Sequence, residues 1–294
     1  DAPCGPDADT GADADAEASS AGACLARRLI DLDRDVADAR HPPSTSAAVL
    51  GALRALVAHS RTAKLALLSC GFVPSLLARI EDARALALLP RAAETPLGVD
   101  AKPRAVRRAE LLPSLSTLLG LLANLLAGCE EAKLACVSLQ LPLLLLQLWA
   151  VGAPVRQPVL AVLANYVAHC TAAKCSLVAY SDAKGRCLAA LLARFVSPPP
   201  RRTPSSAAPS GPSAAEWGLA WAAAASLSTS AEGRAVLLRS GLVGKTPAIV
   251  RRAIDGGNAA RAAPALGCLA NLAFSADGQQ VGPRRALPAP HAAR

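Results

Sequence analysis

Several residue types that usually shape a fold are scarce in this chain. Its 294 residues include no methionine, three tryptophans, three phenylalanines and two tyrosines, an aromatic content of 3%. A core must therefore be filled by Leu, Ala and Val, which suits close-packed helices better than sheets. Histidine is rare too, with four copies. No Ser, His and Asp fall into a spacing that argues for nucleophilic catalysis, so no catalytic residues and no cofactor are expected. The nine cysteines make an odd count without a Cys-x-x-Cys pair. Cys70, Cys129, Cys170 and Cys268 sit in apolar helical context and read as buried free thiols of a reducing compartment. The first residues lack the basic start and apolar run of a signal peptide. The absence of Met, together with Asp1 as first residue, leads to the expectation of a fragment or an incomplete gene model.

Hydrophobic residues are plentiful, at 52%, enough for a core of several units. They come in a recurring arrangement. "LANLAFSADGQQ" (Leu269–Gln280) is an apolar run with one Asn that breaks into a small, polar turn. Four other stretches resemble it: "RALVAHSRTAK" (Arg54–Lys64), "ANLLAGCEEAK" (Ala123–Lys133), "ANYVAHCTAAK" (Ala164–Lys174) and "AASLSTSAEGR" (Ala224–Arg234). Aligned on Lys64, Lys133, Lys174, Arg234 and Gln279, the position before is always Ala or Gly. Four positions earlier stands a small hydroxyl or thiol: Ser60, Cys129, Cys170, Ser230, Ser275. Seven earlier stands an aliphatic residue: Val57, Leu126, Val167, Leu227, Leu272. Lys133 and Lys174 are 41 residues apart, Arg234 and Gln279 are 45 apart. Armadillo and HEAT units repeat at about 40–47 residues. The two longer gaps hold Pro90–Pro113 and Ser197–Ser213, both of linker composition.

Each unit has a readable physics. Apolar residues before the turn recur at helical spacing, as at Val159, Leu160, Leu163 and Val167. The small hydroxyl residue suits the N-cap of the next helix, and Cys is a weaker cap at Cys129 and Cys170. In "KLALLSCGFVPSLLARI" and "RAVLLRSGLVGKTPAIV", Gly71 and Gly241 suit the left-handed residue between helices. Pro74 and Pro247 suit the first turn of the helix that follows. The expected order is short helix, turn, helix, turn, long helix. Leu126, Val167, Leu227 and Leu272 are expected as equivalent core positions.

These stretches resemble the armadillo family. "SCGFVPSLLARI" and "LANLAFSADGQQV" look like two halves of one such repeat, with an Asn-Leu near the end of the long helix and a Gly-x-x-Pro between the others. The resemblance implies an all-α, right-handed α-solenoid, with Asn124, Asn165 and Asn271 on a protein-binding groove. Arg54 and Ala223 or Ala224 take the Asn position in the other copies. The stretch from Leu118 to Val281, chiefly "NYVAHC" and "DGQQ" in repeat context, is further similar to the C-terminal part of the rotatin family, large armadillo-like proteins of centrioles and ciliary basal bodies. That implies a non-enzymatic scaffold in cytoplasm and cytoskeleton, acting in centriole assembly and ciliogenesis with centriolar or basal-body proteins as partners. The alternative is a general armadillo adaptor binding peptides or proteins elsewhere in cytoplasm or nucleus. Import receptors of the family place a Trp four residues before the Asn. Here Gly120, Ala161 and Gly267 stand there, and Trp221 is followed four later by Ala225, so an import-type ladder is not expected.

The expected organisation is an acidic, Ala-rich disordered tail at 1–23, armadillo-like helices at 24–89, and a basic, Pro-containing linker or insertion at 90–113. Repeats follow at 114–196, a Pro/Ser-rich disordered insertion at 197–213, repeats again at 214–282, and a disordered end at 283–294. Other chemistries fit less well. His169, Cys170 and Cys175 are close in sequence but off any zinc spacing. "SGLVGKT" lacks the Gly that a phosphate loop needs at Arg239. The net charge of +9 is spread through presumed linkers without interleaved aromatics, so nucleic acid is not expected as a partner. Leu111–Cys129 and Leu134–Val155 carry no charge and are long enough to span a membrane. Both are interrupted by polar residues, Gly or Pro, and the central helix of a solenoid is equally apolar all round. No small-molecule substrate is expected.

Overall fold

A computed structural model describes residues 24–25, 27–28, 31, 43–88, 101–181, 185–197, 212–255 and 259–275. The expected tail at 1–23 and end at 283–294 lie outside these residues, as do 198–211 of the Pro/Ser-rich insertion. The described residues are mostly helical and contain no strand beyond one isolated bridge, Ser181 to Cys187. The fold is all-α. The chain divides into two compact units, Asp1–Tyr166 and Val167–Arg294.

In the first unit the helices are α1 (Pro43–His59), α2 (Arg61–Ser69), α3 (Phe72–Ala87), α4 (Ala101–Leu126), α5 (Glu130–Ser138), α6 (Leu141–Trp149) and α7 (Ala153–Val167), whose last residue belongs to the second unit. The long α4 packs against α1 and α3, while α2 meets α5 and α3 meets α6. Leu115, Leu119, Leu122 and Leu126 are wholly buried along one stripe, and Leu118, Leu121 and Leu125, on other sides of the helix, are buried too. A helix apolar on most of its circumference needs neighbours all round. The stretch 101–113, expected as linker, is helical here and forms the first half of α4, with Pro113 inside the helix.

Two corners show how the turn chemistry works. α2 meets α3 at 83° and α5 meets α6 at 80°. Gly71 makes the first corner with φ +68°, the left-handed conformation that costs glycine nothing. Pro74 falls in the first turn of α3, where a missing N–H does no harm. Gln140 makes the second corner with φ +55°, followed by Pro142 in the first turn of α6.

In the second unit are α8 (Thr171–Ala179), α9 (Leu188–Val196), α10 (Ala214–Leu227), α11 (Ala231–Arg239), a short 3-10 turn (Val243–Lys245), α12 (Thr246–Asp255) and α13 (Ala259–Ala273). α10 packs on α13 and α9, α12 packs on α13, and α11 rests on α8 and α9. Gly241 takes φ +74° at the corner after α11. "SGLVGKT" is this corner, the 3-10 turn and the start of α12. Ser213 starts α10 with a full capping box: its hydroxyl accepts from Glu216 N, and the Glu216 carboxylate accepts from Ser213 N.

Candidate binding face

The recurring turn is a joint between a long helix and the short helix after it. Ser60 caps α2 by accepting from Ala63 N at 3.1 Å, and Ser230 caps α11 by accepting from Gly233 N at 3.2 Å. Cys129 and Cys170 hold the same extended N-cap backbone without a side-chain bond to it, as the weaker chemistry of sulfur leads one to expect. Ser275 donates to Leu272 O, and the residues after it are outside the described set. Val57, Leu126, Val167, Leu227 and Leu272 are all fully buried, as are Ala63, Ala132, Ala173 and Gly233 one position before the cation.

The cation itself is the part sequence reasoning used only as an alignment mark. Lys64, Lys133 and Lys174 are buried, at 7%, 4% and 9% exposure. Lys64 Nζ donates to the carbonyl of Ala127, the residue just after α4 ends. Lys174 Nζ donates to Thr229 Oγ1 at 2.6 Å, in the turn after α10. A cation at a helix C-terminus satisfies carbonyls that have no partner within the helix and meets the negative end of its dipole. Burial holds the Lys64 ammonium below the usual lysine range, opposed by the nearby Cys129 and assisted by Lys133. Burial pushes the Cys129 thiol up, and pushes Cys136 and Cys268 up to about 12. Such thiols are inert packing groups. Cys70, expected as buried, is half-buried.

The three candidate asparagines stand near the ends of long helices, and their amides reach the preceding long helix. Asn124 Nδ2 on α4 donates to Arg54 O on α1 at 3.1 Å. Asn165 Nδ2 on α7 donates to Ala123 O on α4 at 2.9 Å. These two bonds are equivalent: each acceptor stands ten residues before the joint lysine of its own copy, so Arg54, expected at the Asn position, matches Ala123 one residue before it. Asn271 on α13 differs. It donates to the Ser228 hydroxyl at 3.0 Å, and that hydroxyl in turn donates to Ala225 O. Asn271 stands four residues before its joint serine, whereas Asn124 and Asn165 stand five before their joint cysteines. One residue is about 100° of rotation on a helix, so the side chain leaves the helix in another direction. Ser228 is the hub of the second unit, since it also bonds the Cys268 thiol and its carbonyl accepts from Arg234 Nη1 at 3.3 Å.

Arg54 is exposed, and its guanidinium lies against Gly120: a Cβ there would sit 3.1 Å from Arg54 Cζ and Nε and 3.3 Å from Nη1. Asn124 and Asn165 are half-buried, and Gly120 and Ala161, four residues before them, are small. Trp221 is wholly buried, so it belongs to the core of the second unit. At the α2–α5 contact, exposed Arg61 pairs with Glu131 at 3.3 Å, and Glu131 also accepts from the Cys129 thiol.

Among the described residues no group of three or more His, Cys, Asp or Glu is placed to hold a metal. His169 is an exposed turn residue at φ +54°, while its neighbour Cys170 is buried as the N-cap of α8. No single described helix is long and apolar enough to cross a membrane; the pairs α2–α3 and α5–α6 reach the needed composition only across their sharp bends.

No protein-family model matches the chain, and no curated protein matches it. Among solved structures it is similar to a crystal structure of an engineered protein, at TM-score 0.48 and 18% identity over 87% of this chain and 97% of that one.

Proposed function

We propose that the repeats form an armadillo-like α-solenoid and that the chain is a non-enzymatic scaffold that holds segments of other proteins on the faces bearing Asn124 and Asn165 in the first unit and Asn271 in the second. The observation that carries this reading is the pair of equivalent bonds, Asn124 to Arg54 O and Asn165 to Ala123 O. They repeat one register of long helix on long helix, which is how repeat units build a continuous surface from parts too small to bury their own apolar faces. Each amide gives one N–H to the scaffold, and its carbonyl oxygen is an acceptor suited to the main chain of an extended peptide. The resemblance to the rotatin family supports placing this scaffold at the centriole or basal body, in centriole assembly and ciliogenesis. Expressing a tagged protein in ciliated cells tests the placement: the signal is expected to coincide with a centriolar marker. A signal spread through cytoplasm or nucleus would sink it and leave the general adaptor.

A further inference from the structure

We infer that the outward face of α13 is a self-association surface, on which α13 of a second copy of this chain packs antiparallel about a two-fold axis at Ala270. The inference stands apart from the reading above, because Asn271 lies about 100° round the helix from that axis. α13 is apolar on two opposite sides. Ala265, Cys268, Leu269 and Leu272 are buried, and the helix packs on α10 and α12. Ala263, Leu266, Gly267, Ala270, Ala273 and Phe274 are exposed. At about 100° per residue these six lie within about 60° of the direction of Ala270, so they form one face. It contains no polar or charged side chain. Leu266 is 46% exposed and Phe274 is 84% exposed. Phe274 N donates to Ala270 O at 2.9 Å, which keeps this residue on the helical path just past the end of α13. Contiguous exposed apolar surface of this kind marks an interaction site. The other long helix of the unit, α10, exposes no residue from Glu216 to Ser228. Gly267 adds a second sign. Glycine inside a helix is disfavoured against alanine. A Cβ at 267 would meet no atom within 4 Å, so the chain's own packing does not require its smallness. The close approach of another helix would. Gly51 and Gly218 are open too, but among the described residues neither of their helices exposes a large hydrophobic side chain. The order of sizes names the partner. Leu266 and Phe274 stand four residues either side of Ala270, and Gly267 and Ala273 stand three either side. Read in either direction, the face runs large, small, Ala, small, large. Two antiparallel copies crossing at Ala270 set Leu266 of each against Phe274 of the other, and Gly267 against Ala273. The small residues let the two axes come close, and the large ones close the contact at both ends. The face carries no charge to repel a second copy.

Sedimentation equilibrium of the full chain, from about 0.1 to about 100 µM, is the test. A monomer–dimer equilibrium is expected. Leu266→Glu and Phe274→Lys, each alone, should raise the dimer Kd about tenfold or more. An equal mixture of these two variants is the decisive sample. An antiparallel pair sets the introduced Glu against the introduced Lys at one end and keeps Leu266 against Phe274 at the other, so the dimer should return as a heterodimer. A parallel or head-to-tail contact gives no such return. Gly267→Leu adds bulk where the single chain has room for it. It should weaken the dimer while the monomer melts at the wild-type temperature or above. Circular dichroism melts of dilute samples check the fold of each variant, and if a charged variant fails to fold, Gly267→Leu carries the test by itself. A chain that stays monomeric throughout, a dimer that no folded variant weakens, or a mixture in which the dimer does not return overturns the inference.

Discussion

The joint at Ser60 in the first unit and the joint at Ser230 in the second share their cap and are compared at the third and fourth residues after it. In the first, Ala63 is wholly buried and Lys64 reaches forward to the carbonyl after the next long helix, at Ala127. In the second, Gly233 takes the place of Ala63, and Arg234 turns back to Ser228 O, the carbonyl after the long helix of its own joint. Ala127 and Ser228 occupy the same position in the repeat. The same need, a donor for the carbonyl that follows a long helix, is met between successive repeats in one case and within one repeat in the other. Where Arg234 turns inward, Asn271 and the Ser228 hydroxyl make the link to the neighbouring long helix. A repeat column thus records a physical requirement rather than a fixed bond.

The aliphatic column is where the two joints should behave alike. Leu126 and Leu227 are both fully buried. Truncating either to Ala should cost about 2–5 kcal/mol in urea unfolding, the range for removing a buried leucine side chain. If one costs much less than 2 kcal/mol, the two positions are not equivalent and the register of the repeat is wrong.

The next column should separate them. Gly233→Ala would place a Cβ against the Leu227 carbonyl oxygen and 2.7 Å from Leu227 Cγ. Although Ala is the better helix former, the variant should lose about 1–3 kcal/mol through overpacking. Ala63→Gly should lose about 1 kcal/mol, for the opposite reason, since it trades a helix-favouring methyl for chain freedom. Thermal melts of both variants check this. A stabilised Gly233→Ala would show that the second joint has room for a methyl after all.

Lys64 offers a smaller and pH-dependent difference. Lys64→Met leaves the Ala127 carbonyl without its donor, a loss partly offset because a desolvated cation is gone. A net loss of about 1 kcal/mol is expected at neutral pH. The buried lysine has a lower pKa folded than unfolded. Between those two values the unfolded chain binds more protons, so the wild type gains stability as pH rises toward the ordinary lysine range. The gap between wild type and Lys64→Met should therefore widen in that alkaline window and stay flat below it. Urea midpoints taken across the window measure it; a gap that narrows with pH would reverse the assigned shift.

Much of the joint was legible in the residues because its causes are local. A serine that caps, a leucine that must be buried and a glycine that must turn left-handed each leave a mark at a fixed offset. Gly71, Pro74, Ser60 and Ser230 all do in space what their neighbours in sequence imply. Three things were not legible. Gln140 makes the same corner as Gly71 with an ordinary side chain, because the packing of α5 and α6 overrides a local preference. The depth of the lysines depends on a partner far along the chain, 63 residues away for Lys64 and 55 for Lys174. A cation recurring in four of the five copies, directly after a small residue, was the signal available. The different bond of Asn271 follows from a deletion of one residue before the joint, which composition hides and a helical wheel exposes.

The smallest expected effect on stability is the one that bears most on function. Asn124→Ala removes the bond to Arg54 O, and Asn165→Ala removes the bond to Ala123 O. A hydrogen bond of this kind contributes about 0.5–1.5 kcal/mol net. The acceptors are helix carbonyls that already have partners within their own helices, so neither is left bare by the change. Alanine also returns up to about 0.7 kcal/mol of helix propensity. The two variants should thus lose between zero and about 1 kcal/mol, and they should lose alike because their bonds are equivalent. Asn271→Ala should differ from both. Its partner is a buried hydroxyl that also bonds Ala225 O and Cys268, and a hub that loses one donor keeps the others. If the asparagines act chiefly in a groove, Asn124→Ala and Asn165→Ala lose peptide binding and centriolar recruitment while their melting temperatures stay near wild type. If they act chiefly as ties between helices, both melt early and the folded fraction still binds and localises. Early melting of all three with normal localisation would remove the groove from the account and send the search for a binding surface to another face.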